Sequence, residues 1–253
     1  MSTEEKAEQP DSEMPQVIWT HNKLMKRILR AQMKEVLDRL SPQRVQAQSE
    51  VITHNVLRST VYKNSTAISC YLTMEKSAEV ITTDIVKDAL ASGKKVFVPR
   101  INKDPYHPKR VWGTSQREKR VDKSVSQWMS MLRLYSVEDM EKLVKNRWGI
   151  PEPNFYDGPE GRREDVLDPA TEGVDLVLMP GVAFDRTLSR LGHGMGFYDK
   201  WLASYAAQHS QSQQTRPVLM GLALTEQVVE KVPVQKHDWP LDILVSPEGI
   251  LPE

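Results

Sequence analysis

The stretch Arg190-Leu191-Gly192-His193-Gly194-Met195-Gly196-Phe197-Tyr198-Asp199 gathers three of the chain's twelve glycines into a five-residue window. Glycine at that density marks a backbone that approaches something closely. Upstream, Val174-Asp175-Leu176-Val177-Leu178-Met179 is an apolar run bounded by Gly173 and Pro180, long enough for a buried strand and too short for most helices. Downstream, Tyr198 to Tyr205 reads as the opening of a helix. Strand, glycine-rich loop and helix start is the arrangement with which an α/β sheet holds a phosphate, because free backbone N–H groups and the helix dipole both favour an anion. The stretch therefore predicts an α/β sheet and a phosphate-bearing ligand.

Working outward, the spacing predicts a helix over Val17 to Leu40, with Met25, Leu29, Met33, Val36 and Leu40 on one stripe and Lys23, Arg27, Arg30 and Lys34 on the opposite face. Ser41-Pro42 starts a second helix through Val45, Ile52 and Val56, with serine as the cap and proline at the first helical position. Thr66 to Leu72, Ile81 to Ala91 and Lys95 to Pro99 then read as strand, helix and strand, a right-handed parallel crossover. A strand near Met131 to Val137, a short helix from Ser136, and strands at Pro217 to Leu224 and Asp242 to Ser246 complete the pattern. Trp148-Gly149-Ile150-Pro151-Glu152-Pro153 is read as irregular, since its prolines withhold N–H donors. The predicted fold is α/β: a three-layer α/β/α sandwich with a mainly parallel sheet and two N-terminal helices preceding the first strand. Residues 1–16, with Glu4, Glu5, Glu8, Asp11 and Glu13, read as a disordered acidic tail, and 17–250 as one domain. A basic loop or insertion occupies about 102–128, and 208–215 reads as a solvated loop.

Composition excludes several classes. Lysine plus arginine equals aspartate plus glutamate at 34 each, so no global field draws nucleic acid or an anionic membrane. No apolar run approaches the roughly 20 residues of a membrane span. The single cysteine, Cys70, permits no internal disulfide and reads as a small buried hydrophobe. A reducing cytoplasmic setting is expected, in preference to a mitochondrial one, because transit peptides are poor in acids.

A Gly-x-Gly-x-Gly run alone also serves a plain tight connection, so its neighbours carry the chemistry. No lysine follows Gly196 as in a Walker loop, and no acid stands at ribose distance. Arg190 places a fixed cation before the loop and Asp199 a carboxylate after it, a pair suited to a metal-bound polyphosphate. Magnesium takes one or two carboxylates beside phosphate oxygens and water. Asp238, in His237-Asp238-Trp239-Pro240, is the second candidate, with turn capping as its alternative. The basic face of the first helix reads as a solvated face or as phosphate-neutralising charge. Trp148 reads as a core plug or as a wall for a flat heterocycle, and His193 as a variable loop residue or part of the cradle.

Met179-Pro180-Gly181-Val182-Ala183-Phe184-Asp185 followed by Arg190-Leu191-Gly192-x-Gly194-x-Gly196-Phe197-Tyr198-Asp199 resembles the signature of the 5-formyltetrahydrofolate cyclo-ligase family, also called methenyltetrahydrofolate synthetases. Lys26-Arg27-x-x-Arg30, Val98-Pro99-Arg100 and the Trp148 to Pro153 segment resemble further elements of that family, in its order, over roughly residues 20 to 246. The resemblance implies an ATP- and Mg²⁺-dependent closure of 5-formyltetrahydrofolate to 5,10-methenyltetrahydrofolate, with ADP and phosphate released. The γ-phosphate activates the formyl oxygen and N10 attacks. Such a transfer asks for positioning and charge neutralisation rather than a protein nucleophile.

By motif, the resemblance implies that Lys26, Arg27, Arg30 and the run Arg190, Leu191, Gly192, His193, Gly194, Met195, Gly196, Phe197 and Tyr198 bind ATP. Arg30, Arg190 and Tyr198 are the implied catalytic residues, and Asp199 and Asp238 the implied Mg²⁺ ligands. Leu72, Glu79 and Trp148 are implied to line the folate site, with Glu75 as the alternative to Glu79. A carboxylate there can accept the paired N–H donors of a pterin. The expected partner is a small folate, polyglutamylated or not, with no nucleic acid and no membrane, and the expected working state is a monomer. Two positions depart from the family pattern. Leu188 stands where glycine is common, so the turn before the loop is expected to differ in shape. Phe197 replaces a usual tyrosine, which removes a hydroxyl and keeps the ring.

Overall fold

The computed structural model describes residues 14–74, 78–102, 127–146, 149–209 and 216–252. Most of the acidic tail, most of the basic segment, Glu75 and Trp148 lie outside the described residues. The helices are α1 (Met14–Leu37), α2 (Pro42–Arg58), α3 (Thr60–Asn64), α4 (Thr83–Ala91), α5 (Val137–Glu141) and α6 (Phe197–His209). The strands are β1 (Ala67–Cys70), β2 (Lys95–Asn102), β3 (Trp128–Leu134), β4 (Val144–Lys145), β5 (Pro151–Glu152), β6 (Leu176–Met179), β7 (Ala183–Asp185), β8 (Arg190–Leu191), β9 (Val218–Leu222), β10 (Val228–Val229), β11 (Ile243–Ser246) and β12 (Gly249–Leu251).

Seven of these strands form one sheet in the order β12-β11-β9-β6-β1-β2-β3. The five central strands run parallel, and β3 and β12 pair antiparallel at the two edges. All four residues of β1 and of β6 are buried, the signature of strands covered on both faces. Alternation then sorts the side chains. Ile68, Cys70, Leu176 and Leu178 pack with Val45, Ile52 and Val56 of α2 and Ile85, Val86 and Ala89 of α4. Phe97, Met131, Val177 and Met179 pack with Trp201, Leu202 and Tyr205 of α6 on the other face. The sandwich is thus three layers, as the sequence predicts. From β1 the chain proceeds to β2 on one side, and from β6 to β9 and β11 on the other. The switch point between β1 and β6 is where such sheets open a ligand crevice beyond the strand carboxyl ends.

Several sequence expectations are corrected. A third short helix, α3, precedes β1, because Ser59 ends α2 in an extended conformation and caps a new helix through Tyr62 N–H. The segment from Trp148 is not wholly irregular: β5 pairs antiparallel with β4. A two-residue ribbon tolerates Pro151, and the turn closes through the Asn146 N–H to the Ile150 carbonyl at 2.8 Å. The strand that feeds the glycine loop is β8 rather than β6, with the β7–β8 hairpin between them. β7, β8 and β10 form a separate three-stranded sheet, on which α1 seats through Met33 against Ala183, Leu191 and Val232.

On α1 the apolar spacing is right at Leu29 and Met33, which pack on the small-sheet core, and wrong at its edges. Met25 and Val36 are exposed, whereas Lys26 is buried and Arg30 half-buried on the side of Met33. That side covers a polar rim as well as a core, so the two cations turned inward find partners there. Leu188 does adopt the glycine-like conformation, with φ +66. An ordinary side chain in that region costs roughly 1–2 kcal/mol. Asp185 holds the turn by accepting N–H bonds from Thr187 (2.9 Å), Ser189 (3.0 Å) and Val232 (2.8 Å), while the Leu188 side chain packs into the α6 core.

Candidate active site

A cavity of about 310 Å³ opens at the switch point. Its lining comes from the ends of the central strands, namely Tyr71 and Leu72 after β1, Pro99 and Ile101 of β2 and Pro180 after β6, and from the loop leading into α6. One wall is apolar, with Leu72, Met74, Met129 and Ile150. The chain folds back there because Thr82 donates to the Tyr71 carbonyl (2.6 Å) and Thr73 and Tyr71 both donate to the Val80 carbonyl (3.2 and 3.1 Å). That fold-back returns Glu79 to the cavity. Its side chain is buried, accepts the Met74 N–H at 2.9 Å, and enters no ion pair among the described residues. Burial pushes its carboxyl up to about 7, against the pull of the Met74 N–H.

The opposite wall is charged. The Arg190 guanidinium is buried, donates to the Pro180 carbonyl (3.1 Å) and pairs with Asp199 at 3.3 Å. Its carbon lies 5.5 Å from the Tyr198 ring centre, a cation–π arrangement that fixes both side chains. Asp199 also accepts the Trp239 N–H at 3.1 Å, which ties the 235–239 turn to the start of α6. In that turn Asp238 accepts the Gln235 N–H (2.6 Å) and pairs with Lys26 at 2.5 Å. Turn capping and a charged role therefore coexist at Asp238. Arg30 Nε donates to the Gly192 carbonyl at 2.8 Å. Gly194 has φ +101, a conformation that favours glycine, and a β-carbon there would sit in ordinary contact, 3.4 Å from the Arg30 guanidinium.

The structure brings together Lys26, Arg30, Arg190, Asp199 and Asp238 around the loop, and Leu72, Glu79, Gly192, His193, Met195, Gly196, Phe197, Tyr198 and Asp199 around the cavity. It does not bring in Arg27, which is exposed on the outer side of α1. Leu191 is buried in the small-sheet core, so only its backbone can face a ligand. His193 is exposed, yet crowding first and then the Arg30 and Arg190 charges hold its imidazole below its ordinary value; given the exposure, the two charges carry more weight. Sequence reasoning missed Tyr71, Met129 and Glu152, all in the lining. Glu152 had a signal in the proline-flanked segment; Tyr71, just after β1, and Met129, in β3, carry none.

Among the described residues no group of three His, Cys, Asp or Glu side chains gathers as a metal cage. Two carboxylates fronting a phosphate loop are instead the donor set of a cation that takes most of its shell from phosphate and water. Asp199 and Asp238, linked through the Trp239 N–H, fit that pattern.

Comparison with known proteins identifies the family. The model of the 5-formyltetrahydrofolate cyclo-ligase family matches residues 22–247. A 5-formyltetrahydrofolate cyclo-ligase of Mus musculus is 35% identical over 217 residues, covering 86% of this chain and 91% of the relative. One of Saccharomyces cerevisiae is 33% identical, covering 88% and 96%. The solution structure of Aquifex aeolicus 5,10-methenyltetrahydrofolate synthetase superposes with a TM-score of 0.62 at 25% identity, covering 89% of this chain and 91% of that one. Nearly the whole chain, from the Lys26 helix through the glycine loop to the Asp238 turn, falls within these matches, and the chain belongs to the 5-formyltetrahydrofolate cyclo-ligase family.

Proposed function

We propose that this chain closes 5-formyltetrahydrofolate to 5,10-methenyltetrahydrofolate at the expense of ATP, releasing ADP and phosphate. The observation that carries the proposal is one cavity with two unlike walls: a buried Glu79 with no cation partner among the described residues on the first, and on the second Arg190 and the glycine loop, which Arg30 braces from outside the lining through the Gly192 carbonyl. The formyl oxygen is a poor leaving group. Its attack on the γ-phosphorus expels ADP and leaves the oxygen as a phosphate ester; N10 then adds to the formyl carbon, phosphate departs with that oxygen, and N10 loses its proton. The chain's part is placement and charge neutralisation, with Arg190 and Arg30 beside the phosphates and Glu79 accepting pterin N–H donors.

We further propose Asp199 and Asp238 as the residues that hold Mg²⁺, which supplies charge neutralisation on the phosphate oxygens. Lys26 and Arg190 would then exchange carboxylate partners for phosphate as the nucleotide enters. Trp148, as a wall for the pterin, and acceptance of polyglutamylated substrate belong to the same proposal, as do a monomeric state and a cytoplasmic location.

The test is formation of the methenyl chromophore by purified protein given 5-formyltetrahydrofolate, ATP and Mg²⁺. Product equal to the ADP formed supports the proposal, and ADP release without chromophore would overturn it. Light scattering and fractionation of expressing cells test state and location.

A further inference from the structure

The cavity holds two buried donors with no partner among the described residues: the Tyr198 hydroxyl and Arg190 Nε. An unpaired buried hydroxyl is costly, and where it borders a cavity the ligand is the natural partner. Tyr198 is 9% exposed and lies on the inner side of α6, with its ring fixed by Arg190. It lies near enough to Glu79, Tyr71 and Cys70 for their charge states to be linked. Tyr71 spends its own hydroxyl on the Val80 carbonyl, and the Cys70 sulfur faces the Tyr71 carbonyl, so neither competes for the ligand. The Tyr198 hydroxyl is therefore the buried donor left for a ligand beside Glu79. Beside the Arg190–Asp199 pair, the cavity thus offers Glu79 as a buried acceptor and the Tyr198 hydroxyl as a buried neutral donor, in a lining that is mainly apolar.

A reduced pterin presents matching groups along one edge. The 2-amino group and N3–H donate, and the C4 carbonyl beside them accepts. We infer that the Tyr198 hydroxyl donates to the C4 carbonyl of the bound pterin while Glu79 accepts the adjacent N–H groups, so that Tyr198 reads the 4-oxo group. This inference rests on the folate reading above and moves Tyr198 from the nucleotide side, where the family motif placed it, to the pterin side. A site that hydrogen-bonds a substrate group rejects an analogue lacking that group strongly, because its own polar atoms are then left unpaired.

Tyr198→Phe removes the hydroxyl and keeps the ring against Arg190. Dissociation constants are measured for 5-formyltetrahydrofolate, for its 2,4-diamino counterpart and for ATP. The variant should bind the 4-oxo ligand about 10- to 100-fold more weakly, as expected for losing one buried hydrogen bond, while the 4-amino ligand and ATP shift by less than about threefold. Equal losses on both folates, or a loss on ATP alone, would overturn the inference. Should the variant not fold, infrared difference spectra of wild-type protein with C4-labelled substrate decide. A carbonyl stretch at its hydrogen-bonded frequency supports the assignment, and one at its apolar-solvent frequency contradicts it. Wild-type protein that bound no folate would instead sink the folate reading itself.

Discussion

The two walls of the cavity carry the same residue type in opposite settings. Glu79 is a carboxylate buried without a cation, whereas Asp199 and Asp238 are each met by one, Arg190 and Lys26. The first wall keeps its acid raised to about 7, and on the proposed function it sorts ligands by hydrogen-bond pattern. The second holds its charge in ion pairs, which on the proposed function trade carboxylate for phosphate. On the proposed function, a carboxylate serves recognition where it is buried without a charge partner and charge transfer where a cation meets it.

The comparison breaks most visibly at Arg190. Replacing it by Met removes the buried cation beside the loop and leaves Asp199 without its charge partner; kcat is expected to fall by about 10²–10³, the scale of losing a transition-state charge contact. Stopped-flow phosphate release checks this. A variant within fivefold of wild type would place the phosphoryl group elsewhere.

Glu79→Gln probes the other wall. The folate KM should rise about 10- to 100-fold with the ATP KM nearly constant, the cost of turning a charged acceptor into a half-donor. The pH dependence follows from the raised carboxyl. Folding favours the protonated form, so this group's stability contribution is complete below its ordinary value near 4.5 and is lost as pH rises through about 7. Folate affinity runs the opposite way, rising as the carboxylate forms. Titrating the dissociation constant from pH 5.5 to 8.5 should show that rise in the wild type and a flat profile in Glu79→Gln.

Asp238→Asn sharpens the exchange of partners. With Lys26 released, ATP binding in the presence of chelator should tighten about threefold, while Mg²⁺-supported turnover falls about tenfold, near 1.4 kcal/mol. Calorimetry and steady-state rates with opposite signs are the expected result; both falling together would count against a Lys26 held in reserve by Asp238.

Much of this was legible in sequence. Consecutive buried strands announce themselves by composition, so β1, β2, β6, β9 and β11 were all found, and the glycine loop marked the ligand. The two- and three-residue strands β4, β5, β7, β8, β10 and β12 were not, because no periodicity can register in so few residues. The edges of the α1 face were misread for a different reason. Apolar spacing assumes that the inward side is oily, and here it carries Lys26 and Arg30 to partners more than 160 positions away. Leu188 shows the same limit: the tertiary bonds through Asp185 hold a conformation that its residue type resists. Leu188→Val should therefore cost about 1–2 kcal/mol of stability, because a β-branched side chain fits that conformation worse. Chemical denaturation checks it, with kcat unchanged.

The central claim is that the charged wall passes a phosphoryl group to an oxygen held at the neutral wall. The most direct measurement follows that oxygen. With ¹⁸O in the 5-formyl group, a single turnover with ATP and Mg²⁺ should deliver the label into inorganic phosphate, one atom for each methenyl product. Unlabelled phosphate alongside full methenyl formation would contradict the account.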